Sequence, residues 1–357
     1  MSSFTSLDNT KLSILQDANR KLHISDDLSL ERNKNIIFIY CPPKVGSTTL
    51  VTSLRLFAIH KYTIVHIHDE AMLKRLGNIT NVTVNEIISY NSSLGKNVYV
   101  IDIYRTPIER KISVFFEKIA THHFNNAEIK INNYNVNKLI HRFNKLFPHI
   151  AISDYYLDHN RYNMPLLEAV DFSKKFILQE VDNIKYVKLR LKDADGWPTA
   201  LTKILDTPVY IVKDYDTASK PLKDIYTMFS HQYKIPENYF SMIEACDKLQ
   251  YYYSVEEREQ YLNQWRNRKT ADFTPYTDDE YIFYDKLCIE NQHINDVQIN
   301  HYIDNGCICV ACSARRKRMS TRIMNGEKIM GKIIHDDEVV AYAKRPQNKL
   351  KQPNRPK

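Results

Sequence analysis

The chain has 357 residues, of which 43% are hydrophobic and 26% charged, a balance that supplies a buried core and excludes a disordered or fibrous chain. Its net charge of +8 sits at one end: of 50 Lys/Arg and 42 Asp/Glu, 13 and 4 fall after residue 312, leaving 37 and 38 in the rest. A nucleic-acid or acidic-polymer partner is therefore confined to the C-terminal tail.

The first residues contain no apolar run of signal-peptide length, and no segment approaches the roughly 18 apolar residues of a membrane span. The expectation is a soluble, cytoplasmic protein with no membrane span. The sequons at Asn78, Asn81 and Asn91 are then chance matches.

"NIIFIYC" (Asn35 to Cys41) reads as a fully buried strand, and "STTLVTSLRLFAIH" after it as a helix with Leu50, Leu54 and Phe57 at helical spacing. "CPPKVGSTTL" joins them, the setting in which helix N-terminal amides hold an anion. It is not a Walker loop, because Lys44 precedes Gly46 and no upstream glycine is present. Gly46 lets the backbone approach a ligand, while Ser47, Thr48 and Thr49 offer hydroxyls and amides. The plain alternative is an ordinary strand-to-helix turn with Ser47 as its N-cap.

"YTIVHIHDEAM" (Tyr62 to Met72) is a second strand running into a turn or helix, and "NVYVIDIYR" (Asn97 to Arg105) a third, buried strand. A helix follows with Pro107 in its first turn. Arg105 at the strand's carboxyl end and Ser113 eight residues on offer a fork and a hydroxyl for a second phosphate. "KFILQEV", "KYVKLRL" and "PVYIVKDY" are further strand candidates. Strands alternating with helices predict an α/β fold on a parallel sheet, with ligands beyond the strands' carboxyl ends. Capping boxes at Ser254/Glu257 and Thr277/Glu280 open two late helices. Beyond residue 312 the chain is basic and aperiodic, with a disordered end expected.

Two motifs together, "PKVGSTTL" and Arg105, Pro107, Arg110 and Ser113 in "RTPIERKIS", resemble the sulfotransferases that use 3′-phosphoadenosine 5′-phosphosulfate. "NVYVIDIYRTPIERKISVFFEK" is similar to a subgroup of capsular-polysaccharide-synthesis proteins with relatives in large DNA viruses. The likeness runs from about Asn35 to Lys118 and extends to about Arg268. It implies a P-loop-like three-layer α/β domain over residues 34–268. That domain would follow an N-terminal segment (1–33) and precede a helical extension with a Cys cluster (269–312) and a basic tail (313–357). A viral origin would place the protein in the host cytoplasm or the virion.

The resemblance also implies roles. Lys44 would stabilise charge on the bridging oxygen as the sulfuryl group leaves, with Val45, Gly46, Ser47, Thr48 and Thr49 around the phosphosulfate. Arg105 and Ser113 would select the 3′-phosphate. The acceptor, a carbohydrate by resemblance, must lose a proton to a base. His68 is the first candidate and His66 the second; Asp69 could orient an imidazole or serve itself, and Glu70 ranks last. No metal is required for that step.

The alternatives are a P-loop phosphotransferase, for which Asp102 is the one tempting magnesium ligand, and a non-catalytic nucleotide- or glycan-binding protein acting through its tail. Arg190 and Lys192 read as solvated charges at a strand end, with anion contact as the alternative. Cys307, Cys309 and Cys312 with His301 read as free thiols in a surface turn, zinc ligation being the other option.

Overall fold

The computed structural model describes residues 9–123, 135–162, 164–212 and 222–281. Cys288, His301, Cys307, Cys309, Cys312, the "ARRKR" run and the tail lie outside them. The chain divides into two units. One comprises Met1–Val114, Ala151–Ser219 and Lys234–Phe273; the other comprises Phe115–Ile150, Lys220–Tyr233 and Thr274–Lys357.

The first unit is a mixed α/β assembly. Helix α1 (Asn9–Lys21) and the short α2 (Glu31–Lys34) lead into β1 (Asn35–Tyr40), α3 (Ser47–Phe57), β2 (Thr63–Ile67), α4 (Glu70–Gly77), α5 (Val84–Ser93), β3 (Asn97–Tyr104) and the start of α6 (Pro107–His123), whose residues from Phe115 on are counted with the second unit. Strands β4 (Phe176–Val181) and β5 (Ile184–Arg190) and the helix Trp197–Leu205 follow. The five strands form one sheet in the order β2-β1-β3-β5-β4, parallel except for β4.

β4 corrects the parallel expectation. Asp182 and Asn183 both take positive φ, 50° and 64°. Such a two-residue turn fits strand twist and returns the chain as a hairpin, so β4 lies antiparallel on the edge. "PVYIVKDY" supplies no strand over its described residues: Val209 N–H donates to Thr202 Oγ1 at 3.0 Å and Val212 N–H to Ser53 Oγ at 2.9 Å. Those side chains satisfy backbone donors that a sheet ladder would otherwise take.

Alternation divides the strands between two faces. Ile37, Ile39, Tyr99, Ile101, Ile103, Val187 and Leu189 pack with Leu50, Val51 and Leu54 of α3 and with Trp197, Leu201 and Leu205. Each fully buried aliphatic side chain here contributes about 1.5–3 kcal/mol relative to exposure. The other face carries Asp102 beside Lys188, direct neighbours in the β3/β5 register. Lys188 Nζ lies 2.7 Å from Asp102 and 2.6 Å from Asp154, all three fully buried. The N-terminal helix is tied to this unit through Asn19, whose amide exchanges hydrogen bonds with Asn91 of α5 at 3.2 and 2.8 Å. Asn91 is thus a buried structural residue.

Both predicted capping boxes form, at Ser254/Glu257 and at Thr277/Glu280. The second unit packs on rings: Phe143 lies 5.1–5.5 Å from Phe115, Phe147, Phe229 and Tyr233, centroid to centroid. No helix among the described residues is long and apolar enough to cross a membrane.

Candidate functional site

The strand order places a topological switch between β1 and β3. From β1 the chain moves outward to β2, then returns to put β3 on β1's other side. Loops leaving adjacent strands at such a point open a crevice beyond their carboxyl ends. Those two loops carry Lys44 and Arg105.

Residues 41–46 are shaped for a close approach. Val45 is buried, anchoring the loop in the core, while Lys44 and Gly46 take φ of 68° and 99°. Gly46, not Ser47, is the N-cap of α3, and no side chain caps this end. Leu50 N–H bonds the Gly46 carbonyl. The amides of Ser47, Thr48 and Thr49 precede the first intrahelical bond, which is the arrangement that favours an anion. Ser47 is buried, Thr49 half-buried and Thr48 exposed. A Cβ on Gly46 would lie 2.8 Å from Leu191 Cδ1, at the end of β5.

The loop is gripped from both neighbouring strands. On the β3 side, Arg105 Nη1 donates to the Lys44 carbonyl at 3.0 Å. On the β2 side, His68 Nδ1 lies 2.7 Å from the Cys41 carbonyl. A carbonyl only accepts, so Nδ1 carries the hydrogen and Nε2 of the neutral ring keeps its lone pair. His68 thus has the form a general base needs. Burial lowers its pKa; the Cys41 bond and Asp69 oppose this, and the charges of Arg75 and Lys44 add to it.

His66 sits on the same face, its ring centroid 4.5 Å from that of His68. Burial foremost, then His68 and Arg55, push its pKa down to about 4, and its Nε2 is buried without a hydrogen-bond partner. Asp69 caps α4, accepting from Met72 N–H at 2.8 Å, so one of its oxygens is committed to the helix. Glu70 pairs with Arg161 at 3.5 Å.

No protein-family model, curated protein or solved structure matches this chain.

Other predicted residues divide in use. Ser113 stands on α6 and is buried, with 8% exposure. Arg110 is buried, donating to the Ala151 carbonyl and to Ser153 Oγ at 3.1 Å. Arg190 is not a solvated charge: it lies 2.5 Å from Asp193 and 2.7 Å from Glu257 and donates to the Tyr252 carbonyl at 2.8 Å. Lys192 shares Glu257 at 2.5 Å. Both are spent on binding the β5 end to the helix Val255–Arg266. Asp102 is likewise engaged, with Lys188 and with the amides of Ile103 and Tyr156 at 2.7 and 3.1 Å. Cys41 and Cys246 are buried free thiols whose pKa burial raises, a setting for inert cysteines.

The sequence reading passed over "DYYLDHNRY", which crosses above the β1 and β2 ends. Tyr155 O–H donates to the His68 carbonyl at 2.7 Å, Tyr162 O–H to the Tyr40 carbonyl at 2.6 Å, and Arg161 stacks on Tyr155 at 4.2 Å. The density of tyrosines beside an arginine in a segment without periodicity was the available signal.

Proposed function

We propose that the chain is a sulfotransferase, moving a sulfuryl group from 3′-phosphoadenosine 5′-phosphosulfate to a hydroxyl or amine acceptor of carbohydrate type. The observation that carries this reading is the bond from Arg105 to the Lys44 carbonyl, which joins the two motif segments across the switch point between β1 and β3. Residues 44–49 would hold the phosphosulfate of the P-loop-like crevice, and Arg105 and Ser113 the 3′-phosphate. The uncapped α3 terminus fits an anionic group there.

In the reaction, the bond from sulfur to the bridging phosphate oxygen breaks as the acceptor's oxygen or nitrogen bonds to sulfur. Lys44 would neutralise charge on the leaving oxygen. His68 Nε2 would take the acceptor's proton, the role its tautomer and neutral state suit. His66, with its unpartnered Nε2, is the reserve for that role. Asp102 argues against the phosphotransferase reading, because its buried contacts with Lys188 occupy the carboxylate that a magnesium ion would need.

The test is conversion of the donor to 3′-phosphoadenosine 5′-phosphate, followed by mass spectrometry with a panel of neutral and acidic polysaccharides. Acceptor-dependent turnover, abolished in Lys44→Ala, supports the reading. Binding of the donor without turnover on any acceptor favours the non-catalytic alternative.

A further inference from the structure

The peptide of His68 is held at every polar atom. Its N–H donates to Met72 Sδ at 3.3 Å, and its carbonyl accepts from Tyr155 O–H at 2.7 Å and from Arg161 Nη2 at 3.4 Å. The ring adds the contact of Nδ1 with Cys41. A residue one position past the end of β2 has no ladder bonds of its own, so these contacts set where its imidazole lies.

The clamp is itself fixed. The Arg161 guanidinium lies 4.2 Å from the Tyr155 ring and 5.2 Å from the Tyr40 ring, and pairs with Glu70 at 3.5 Å. The Tyr155 and Tyr40 rings are 5.0 Å apart. Asn85 of α5 donates its side-chain amide to the Arg161 carbonyl. The segment is pinned below by Asp154, one residue before Tyr155, which holds the buried Lys188 at 2.6 Å. The segment is therefore tied to β5, α5 and the end of β1, and its two outward groups converge on one carbonyl.

We infer that Tyr155 and Arg161 are positioning residues, which clamp the His68 carbonyl so that the imidazole stays in the Nδ1–H form with Nε2 free to take a proton. Neither side chain needs to touch the substrate. The consequence for turnover rests on the sulfuryl-transfer reading; the effect on the imidazole does not.

The experiment is nitrogen-15 NMR of the histidine rings, with Tyr155→Phe and Arg161→Met in the full chain. Tyr155→Phe keeps the ring stack and deletes only the hydroxyl, and the melting temperature of each variant is recorded. In the wild type His68 should show the Nδ1–H pattern with a slowly exchanging ring proton. In Tyr155→Phe that proton should exchange faster, and the ring should shift toward the Nε2–H form. Single-turnover rates should fall about fivefold to tenfold, the fold-change equivalent to one neutral hydrogen bond, with donor affinity unchanged. A fall in melting temperature alone, with the His68 pattern intact in both folded variants, overturns the proposal. An altered His68 pattern supports the clamp even in a protein that never binds the 3′-phosphorylated nucleotide, an outcome that would remove the sulfotransferase reading instead.

Discussion

Replacing Lys188 by methionine isolates the energetics of the buried ionic cluster that seats the candidate site. The ammonium is within 2.7 Å of two carboxylates, and all three side chains are at most 1% exposed. Methionine fills most of the volume but leaves two facing carboxylates. Asp102 keeps the amides of Ile103 and Tyr156, and Asp154 keeps the Leu157 amide at 3.0 Å and the Tyr252 hydroxyl at 2.7 Å. Those bonds do not replace a positive charge, so the loss at pH 8 should be about 3–5 kcal/mol, the cost of breaking a buried pair. In the wild type, burial already outweighs the attraction of Lys188 and pushes the Asp102 pKa up to about 7. A carboxyl raised above its unfolded value contributes stability that is complete below about pH 4 and is lost as pH rises through its folded value. Without Lys188 the upward shift grows, so the variant's deficit should shrink at pH 5 and widen at pH 8. Both tryptophans, Trp197 and Trp265, lie in the unit that contains the cluster, so urea unfolding followed by tryptophan fluorescence reads it. A deficit under about 1 kcal/mol, or one equal at the two pH values, would refute the assignment of this cluster as the seat of the 154–162 segment.

Three further variants probe the crevice. Arg105→Ala removes the 3.0 Å bond to the Lys44 carbonyl, so it should weaken all nucleotides somewhat, with an additional loss of about 1.5–3 kcal/mol for those carrying a 3′-phosphate; equal losses by calorimetry would separate Arg105 from that phosphate. Gly46→Ala forces a side chain onto a φ of 99°, so thermal unfolding should show a loss of about 1–2 kcal/mol together with weaker nucleotide binding, and an unchanged protein would contradict the loop geometry. His68→Ala should leave donor affinity intact and slow single turnover roughly 10²–10⁴-fold. The wild-type rate should rise with pH through a midpoint below the ordinary histidine value, because burial lowers it, and that ionisation should vanish in the variant.

What the sequence made legible was local. The β1 loop, the Pro107 start of α6 and both capping boxes follow from residues within a few positions of one another, and each forms. What it hid depends on distant partners. Arg190 looked solvated because Glu257, 67 residues on, is invisible to a local reading. "PVYIVKDY" had strand composition, but the Thr202 and Ser53 side chains take its amides. "KFILQEV" and "KYVKLRL" were legible as strands, but the antiparallel return between them depends on Asp182 and Asn183 both taking positive φ. At the site, Lys44, Arg105 and His68 were legible as residue types. That Arg105 and His68 grip the same loop from opposite sides, and that Tyr155 and Arg161 hold His68, emerges only from the strand order.

The most direct measurement of the central claim is calorimetric titration of the whole chain with 3′-phosphoadenosine 5′-phosphate and, in parallel, with adenosine 5′-phosphate. If Arg105 and Ser113 read a 3′-phosphate beside the Lys44 loop, the first ligand should bind tighter by roughly tenfold to 150-fold, the equivalent of one charge-assisted contact. Equal affinities, or binding of neither, would contradict the account.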